Sequence, residues 1–600
     1  MSKLSAVLGD QVFKSSKSPP KRRFQLVLIK PSRYDDDGYV IRWWRALIPS
    51  NSLAAVYGLA QDAAQREVLG PDVAIDIDVI DETNTPVNTK QLLRRFREHD
   101  VFGMIGLVGV QTNQYPRALD IARPFRQADI PVVMGGFHIS GCLSMLDGKA
   151  VQLDRCREMG ISMFAGEAEE TFDAFLRDAA ARRLQPLYNY MNDLPGLGGT
   201  PIPFMPREFA KRTAGTNTSF DAGRGCPFQY SFCTIINVQG RKSRFRSPDD
   251  IEKVVRENWA QGIARFFITD DNFARNRDWE AIFDRLAKLR EVDNIPIGLM
   301  IQVDTMCHKI PRFIEKSKRA GVTRVFVGLE NINPDNLNAS KKKQNKITEY
   351  RKMLLAWREQ RIFTYAGYIL GFPADTPESI RRDIEIIQRE LPVDLLGFSM
   401  LTPLPGSEDH KIAWKKGVDM DPDLNKYDLE HVVTDHPTMS RKELQAVYDE
   451  AWKLFFTPQH IETVLRRAAA ADVPLMSLVK VMAHYTCAMQ LEKVHPLQSG
   501  FIRTKRRDER RPELPREGAL EFYPRYWWTL LWRNAQIAKM VWLLLRVKRR
   551  IERDPNRYAY TDQALTPVSD EEEETFDFLT KTAGAKAAID HFKKVHELTH

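Results

Sequence analysis

Gly225-Cys226-Pro227-Phe228-Gln229-Tyr230-Ser231-Phe232-Cys233-Thr234 is the stretch that decides how the rest of the chain is read. Its two thiols stand seven residues apart in a short, turn-prone segment. A cysteine at position 230 would complete the spacing C-x3-C-x2-C of an iron–sulfur loop, in which thiolates are the soft ligands that iron clusters require. Tyr230 occupies that position. Cys226 and Cys233 are therefore candidate metal ligands, and Tyr230 is a third, harder donor. The segments on either side predict the scaffold that presents the loop.

Downstream, apolar runs at 219–222, 265–269, 297–303, 324–329, 364–370 and 395–400 alternate with helical patterns such as 248–261, 279–291 and 377–390. Six strand–helix units predict a partial or full α/β barrel over 201–410. Barrel active sites lie at the carboxyl ends of the strands, and the cysteine loop follows the first strand. Upstream, runs at 24–29, 73–80, 101–110, 130–134 and 161–165 alternate with helical stretches such as 115–128. That pattern predicts a doubly wound parallel sheet over 24–200, with ligand binding at the carboxyl strand ends. Gly135-Gly136-Phe137-His138 follows the fourth run and Gly166-Glu167-Ala168-Glu169 the fifth. Glycine there either lets a ligand approach the backbone or serves a tight turn. No G-x-G-x-x-G follows the first run, which argues against a nicotinamide dinucleotide. Residues 186–215, rich in Pro, Gly and Asn, read as a linker.

Six scattered cysteines are not a disulfide framework and suit a reducing cytosol. The net charge of +9 is spread along 600 residues, and no nucleic acid partner is expected. Residues 1–23 are polar and basic, lack the apolar centre of a secretory signal, and read as a mobile tail. Beyond 410 the strand signal fades, and 411–600 reads as a mostly helical region. Within it, 504–516 reads as an exposed connector, and 523–550 sets tryptophans beside a basic cluster. No run of about 20 apolar residues occurs there. That stretch suits either peripheral membrane contact or a helix packed on the barrel, and the expected location is cytoplasmic, peripheral to a membrane in the first case.

The loop 224–234 with its following strands resembles the radical S-adenosylmethionine (SAM) superfamily. The preceding α/β domain resembles the cobalamin-binding domain found ahead of the barrel in one large branch. The resemblance implies a 4Fe-4S cluster held by three cysteines. Its open fourth iron chelates the amino and carboxylate groups of SAM, and electron transfer breaks a carbon–sulfur bond to give a 5′-deoxyadenosyl radical. Cys226 and Cys233 match the first and third ligands, and Tyr230 falls at the second. Phe232 matches the aromatic position beside the SAM adenine. Asp270, Asp271 and Asn272 resemble the acidic motif that meets the SAM amino group, and Glu330 the residue that contacts its ribose or amine. Gly367, Ile369 and Gly371 fall in the fifth-strand motif whose backbone borders the adenine. Asn113, Gly135, Gly136 and His138 fall in regions that hold cobalamin, without the D-x-H-x-x-G signature of an axial histidine. The resemblance further implies a small-molecule substrate, an electron donor such as a flavodoxin or ferredoxin, and methyl transfer to an unactivated carbon.

Tyrosine is a poor replacement for a thiolate, because its oxygen is hard and its pKa is about 10 against about 8.5 for a thiol. Three readings stay open on the sequence. One is an active radical SAM enzyme, with Cys307 as a conceivable substitute ligand. Another is a pseudoenzyme that binds SAM or cobalamin without radical chemistry. The third is a membrane-associated binding protein.

Overall fold

Strand β1 (Arg22–Lys30) is buried from Phe24 to Ile29 and lies in the interior of a parallel sheet. Alternate side chains point to opposite faces. Val27 and Ile29 therefore enter one core with Ile105 and Ile121, while Leu26 and Leu28 enter another with Leu53 and Leu176. A strand covered on both faces is largely apolar, which is why this run was visible; its one polar side chain, Gln25, donates to the Asp76 carbonyl at 3.3 Å. The computed structural model describes residues 22–146, 151–340 and 347–568. The expected tail at 1–23 lies outside them except for Arg22 and Arg23, which begin β1.

Strand β2 (Arg42–Ala46) leaves this sheet, and β3 (Val73–Asp81), β4 (Val101–Leu107), β5 (Val132–Gly135), β6 (Ser162–Ala165) and β7 (Leu187–Asn189) complete it. The order is β3-β1-β4-β5-β6-β7, with every pairing parallel. The direction of winding reverses between β1 and β4, so a crevice opens outside their carboxyl ends. β7 lies inside the stretch expected to be a linker.

Strand β8 (Thr218–Phe220) starts the second sheet. The short antiparallel pair β9 (Gly223–Arg224) and β10 (Arg244–Phe245) brackets the cysteine loop. Strands β11 (Arg265–Ile268), β12 (Gly298–Val303), β13 (Val322–Glu330), β14 (Phe363–Leu370) and β15 (Leu395–Met400) follow, and the order β8-β11-β12-β13-β14-β15 is parallel throughout. The end strands β8 and β15 do not pair, so the array stays open as a partial barrel. Helix starts are capped as the sequence dictates. Ser247 caps the helix Pro248–Ala260 in a capping box, and Thr376 does the same for Pro377–Glu390.

The C-terminal region is mostly helical. Arg441–Phe455, Pro458–Ala470 and Leu475–Cys487 join the barrel core, and the 35-residue helix Ala519–Arg553 crosses the last two of them. Strand β16 (Gly500–Thr504) pairs antiparallel with β2. The expected connector at 504–516 is likewise held, since Arg42 bonds Glu509 at 2.6 Å. Buried Arg33 pairs with Asp428 at 2.8 Å and with Glu430. Among the described residues, no helix is long and apolar enough to cross a membrane.

Candidate active site

The cysteine loop leaves β8 under firm backbone control. One carboxylate oxygen of Asp270, after β11, accepts the N–H of Ala222 at 2.7 Å and of Gly223 at 2.8 Å. Burial pushes the Asp270 pKa up to about 7, against the pull of those donors. Gly225 has φ +87°, and a Cβ there would stand 2.9 Å from the Lys242 carbonyl, so the residue before Cys226 must be glycine. Cys226 is buried and Cys233 half-buried. Burial pushes the Cys233 thiol up to about 12, with nearby Asp271 and Cys226 adding to it.

Tyr230 is the middle ring of a column. Its centroid lies 6.0 Å from Phe228 and 5.7 Å from Phe232, with interplanar angles of 23° and 16°. The Arg275 guanidinium covers Phe228 at 5.5 Å, and Phe372 meets Phe232 edge-on at 6.5 Å. Burial holds the phenol well above its usual pKa, and the facing charges of Cys226, Glu330, Asp304 and Cys233 reinforce it. Both thiols raise the phenol's pKa electrostatically, and the phenol is protonated at neutral pH. Cys307 does not join them. It lies in the barrel core, fully buried, and burial pushes its thiol well above the usual range. Among the described residues, no three His, Cys, Asp or Glu side chains converge as a metal site.

The other strand ends form a rim. Asp271 is accessible yet ringed by protein, which pushes it up to about 7. Asn272 donates to Asp304 at 2.8 Å, and Arg275 grips the same carboxylate at 2.6 Å. Glu330 ends β13 in the left-handed region, φ +65°. Gly367 leaves room for Phe326, whose Cζ would lie 2.8 Å from a Cβ. The Ile369 carbonyl accepts from Asn331 Nδ2 at 3.4 Å, and Gly371 N–H donates to Asp375 at 2.9 Å.

On the first-domain side, a cleft of about 210 Å³ opens at the switch point. Gly109, Gly135, Gly136 and Gly166 line its rim, Leu26, Leu59, Met104 and Phe175 its apolar interior, and Arg224 and Gln239 its far wall. It thus faces the entry of the cysteine loop. Arg224 is clamped by Glu167 at 2.8 Å, Glu169 at 2.6 Å and Asp221 at 3.1 Å. Arg244 also grips Glu167, at 2.5 Å, and Asn51 bonds Asp221 at 3.0 Å. Burial opposes ionisation of Glu169, yet Arg224 keeps it below the usual carboxylate range. This clamp was missed in the sequence, where its only trace is an acidic pair after one strand and arginines flanking the loop.

Asn113 and His138 do not line the cleft. His138 is the second residue of the helix Phe137–Leu146, where a glycine-led loop was expected, and is fully buried against Tyr115 at 4.5 Å. Its Nδ1 meets Thr112 at 3.2 Å, and burial, then His410, push its pKa down to about 3. Asn113 Oδ1 and His138 Nε2 have no hydrogen-bond partner among the described residues.

Residues 222–387 match the Radical SAM superfamily. The chain is 25% identical over 348 residues to bacteriochlorophyllide d C-8(2)-methyltransferase of Chlorobaculum tepidum, covering 55% of this chain and 73% of that one. It is 27% identical over 291 residues to hopanoid C-2 methylase of Rhodopseudomonas palustris, covering 48% of this chain and 53% of that protein, about half its length. Among solved structures, the radical S-adenosylmethionine methyltransferase TsrM of Kitasatospora setae, with tryptophan substrate and a SAM analogue bound, aligns at TM-score 0.51 and 17% identity over 66% of this chain and 77% of its own. The segment that matches the Radical SAM superfamily is the one that carries the cysteine loop and its strand-end rim.

Proposed function

We propose that this protein is a cobalamin-dependent radical SAM methyltransferase that methylates an unactivated carbon of a small molecule. The observation that carries the reading is the clamp of Arg224 by Glu167 and Glu169, which sets the first-domain cleft directly against the cysteine loop. Two cofactors that must exchange groups need that adjacency. The cleft fits a corrin. A glycine rim admits a flat macrocycle close to the backbone, and an apolar slot between sheet and helices accepts an aromatic tail. No histidine lines it among the described residues, so a corrin there is held without an imidazole from the lining.

The cluster site fits through two soft ligands, Cys226 and Cys233, with the Tyr230 oxygen at the third position. When bound, the cluster and SAM supply one-electron chemistry, and the corrin supplies a methyl group. The chain's own residues do the positioning. Asp270 fixes the loop entry, Asp271 presents a carboxylate for the SAM ammonium, and Phe232 offers a ring face beside Phe372 for the adenine. We assign Glu330 and the backbone at Gly367, Ile369 and Gly371, at the ends of β13 and β14, to the same SAM site. The electron comes from a donor of the flavodoxin or ferredoxin type. Two relatives are named for a bacteriochlorophyllide and a hopanoid, so a large apolar ring system is the substrate class we assign.

The test is anaerobic reconstitution of the full chain with iron, sulfide and hydroxocobalamin. Iron bound, a corrin absorbance that survives gel filtration, and 5′-deoxyadenosine or S-adenosylhomocysteine formed from SAM are expected. A chain that holds corrin but leaves SAM intact at any iron content would refute the catalytic reading.

A further inference from the structure

The helix Ala519–Arg553 buries only Phe522, Leu544 and Ile551. At 100° per residue these three share one side. The opposite side carries Leu520, Pro524, Trp527, Leu531, Ala535, Ala538 and Trp542, at intervals of four, three, four, four, three and four, all exposed. Leu520 is 94% exposed, Leu531 67%, and Trp528, at the edge of the stripe, 72%. No charge interrupts this row over a span of about 33 Å. Soluble monomers rarely leave so continuous an apolar face in water. The same row then continues as Arg546, Arg549 and Arg553. Among the described residues these arginines form no ion pair, and Arg546 instead stacks over Trp542 at 4.6 Å.

Two features favour a lipid surface over a second copy of this chain. Indole and phenol rings, here Tyr523, Trp527, Trp528, Trp532 and Trp542, sit well at the headgroup level of a bilayer, where one end is apolar and the other wet. Self-pairing also conflicts with the charges. A parallel pair sets arginine against arginine, and an antiparallel pair lays arginines on the apolar half of the partner. Anionic headgroups satisfy both halves of the stripe at once.

We propose that the helix Ala519–Arg553 is an in-plane anchor. Its apolar row enters the headgroup boundary of a bilayer, and Arg546, Arg549 and Arg553 engage anionic phospholipid. The proposal is independent of methyl transfer and is tested without cofactors. The full chain is floated with vesicles of phosphatidylcholine mixed with phosphatidylglycerol, and with phosphatidylcholine alone. Co-flotation with the mixed vesicles and a blue shift of tryptophan emission are expected. The triple variant W527S/L531S/W542S should partition about tenfold less or worse. The variant R546Q/R549Q/R553Q should lose its preference for phosphatidylglycerol. Unchanged thermal midpoints verify that both variants fold. A chain that stays unbound with both vesicle types overturns the proposal. So does a W527S/L531S/W542S variant that floats like its parent. A dimer in light scattering that this variant dissolves, without flotation, assigns the face to a second copy and overturns it too.

Discussion

On the proposed reading, the phenol at position 230 stands where the loop spacing would put a soft donor, between Cys226 and Cys233 in the sequence. Tyr230→Cys is expected to raise the iron retained after reconstitution and to slow its loss to a chelator by about tenfold. Tyr230→Phe keeps the ring column and removes the oxygen. If its iron count equals that of the parent, the oxygen holds no metal. Asp270 gives a second prediction. Its pKa of about 7 in the folded chain stands above the ordinary 3.8, so between those values the native state holds a proton that the unfolded chain has lost. Its contribution to stability is complete below about pH 4 and declines as pH rises to about 7. Asp270→Asn, whose amide oxygen can still accept both N–H groups, should flatten that decline by on the order of 3–4 kcal/mol in urea titrations at stepped pH. Asp383, also pushed up to about 7 by burial, leaves a residual slope of the same sign. The loop's thiols and the acidic strand end were legible because their residue types are rare and their spacing is fixed. The aromatic column was not, since Phe228 and Phe232 carry no sign of a tyrosine stacked between them.

Among the elements, legibility followed two-sided burial. β1 and β14 read as apolar runs because both of their faces are buried, whereas the edge strand β3 alternates Ile with Asp. β2 and β16, written Arg-Trp-Trp-Arg-Ala and Gly-Phe-Ile-Arg-Thr, carry charges and find each other across more than 450 residues, so neither declares itself locally. The helix Phe137–Leu146 was hidden for a different reason, because Ser140 and Gly141 in its first turns look like a loop. Gly141 is there for contact. A Cβ on it would lie 2.3 Å from the Pro405 carbonyl oxygen, where helix and barrel loop meet backbone to backbone. Gly141→Ala must push the two apart, at an expected cost of about 1–3 kcal/mol, read in chemical denaturation. The same variant should bind corrin more weakly, because Gly135 and Gly136 on the cleft rim precede that helix.

Over the whole molecule, the decisive contact is a single guanidinium shared by three carboxylates. Arg224→Met would strip buried Glu169 of its guanidinium and leave Glu167 to Arg244 and Asp221 to Arg246. Removing one partner of such a buried set costs roughly 3–5 kcal/mol. Loss of that order in urea unfolding is expected, together with faster proteolysis of the segment 190–215 that joins the two sheets. The strand pairing of β2 with β16 has a consequence in time. During synthesis the first sheet can assemble as soon as residue 189 emerges, but β2, held until then by backbone bonds of Trp43 and Ala46, has no partner strand until residue 504 is made. Arg33 likewise waits for Asp428 and Glu430. The nascent chain therefore carries an open edge and an unmatched cation through most of translation, and a ribosome stalled before the last fifth of the message would release a product with two formed sheets and no clasp.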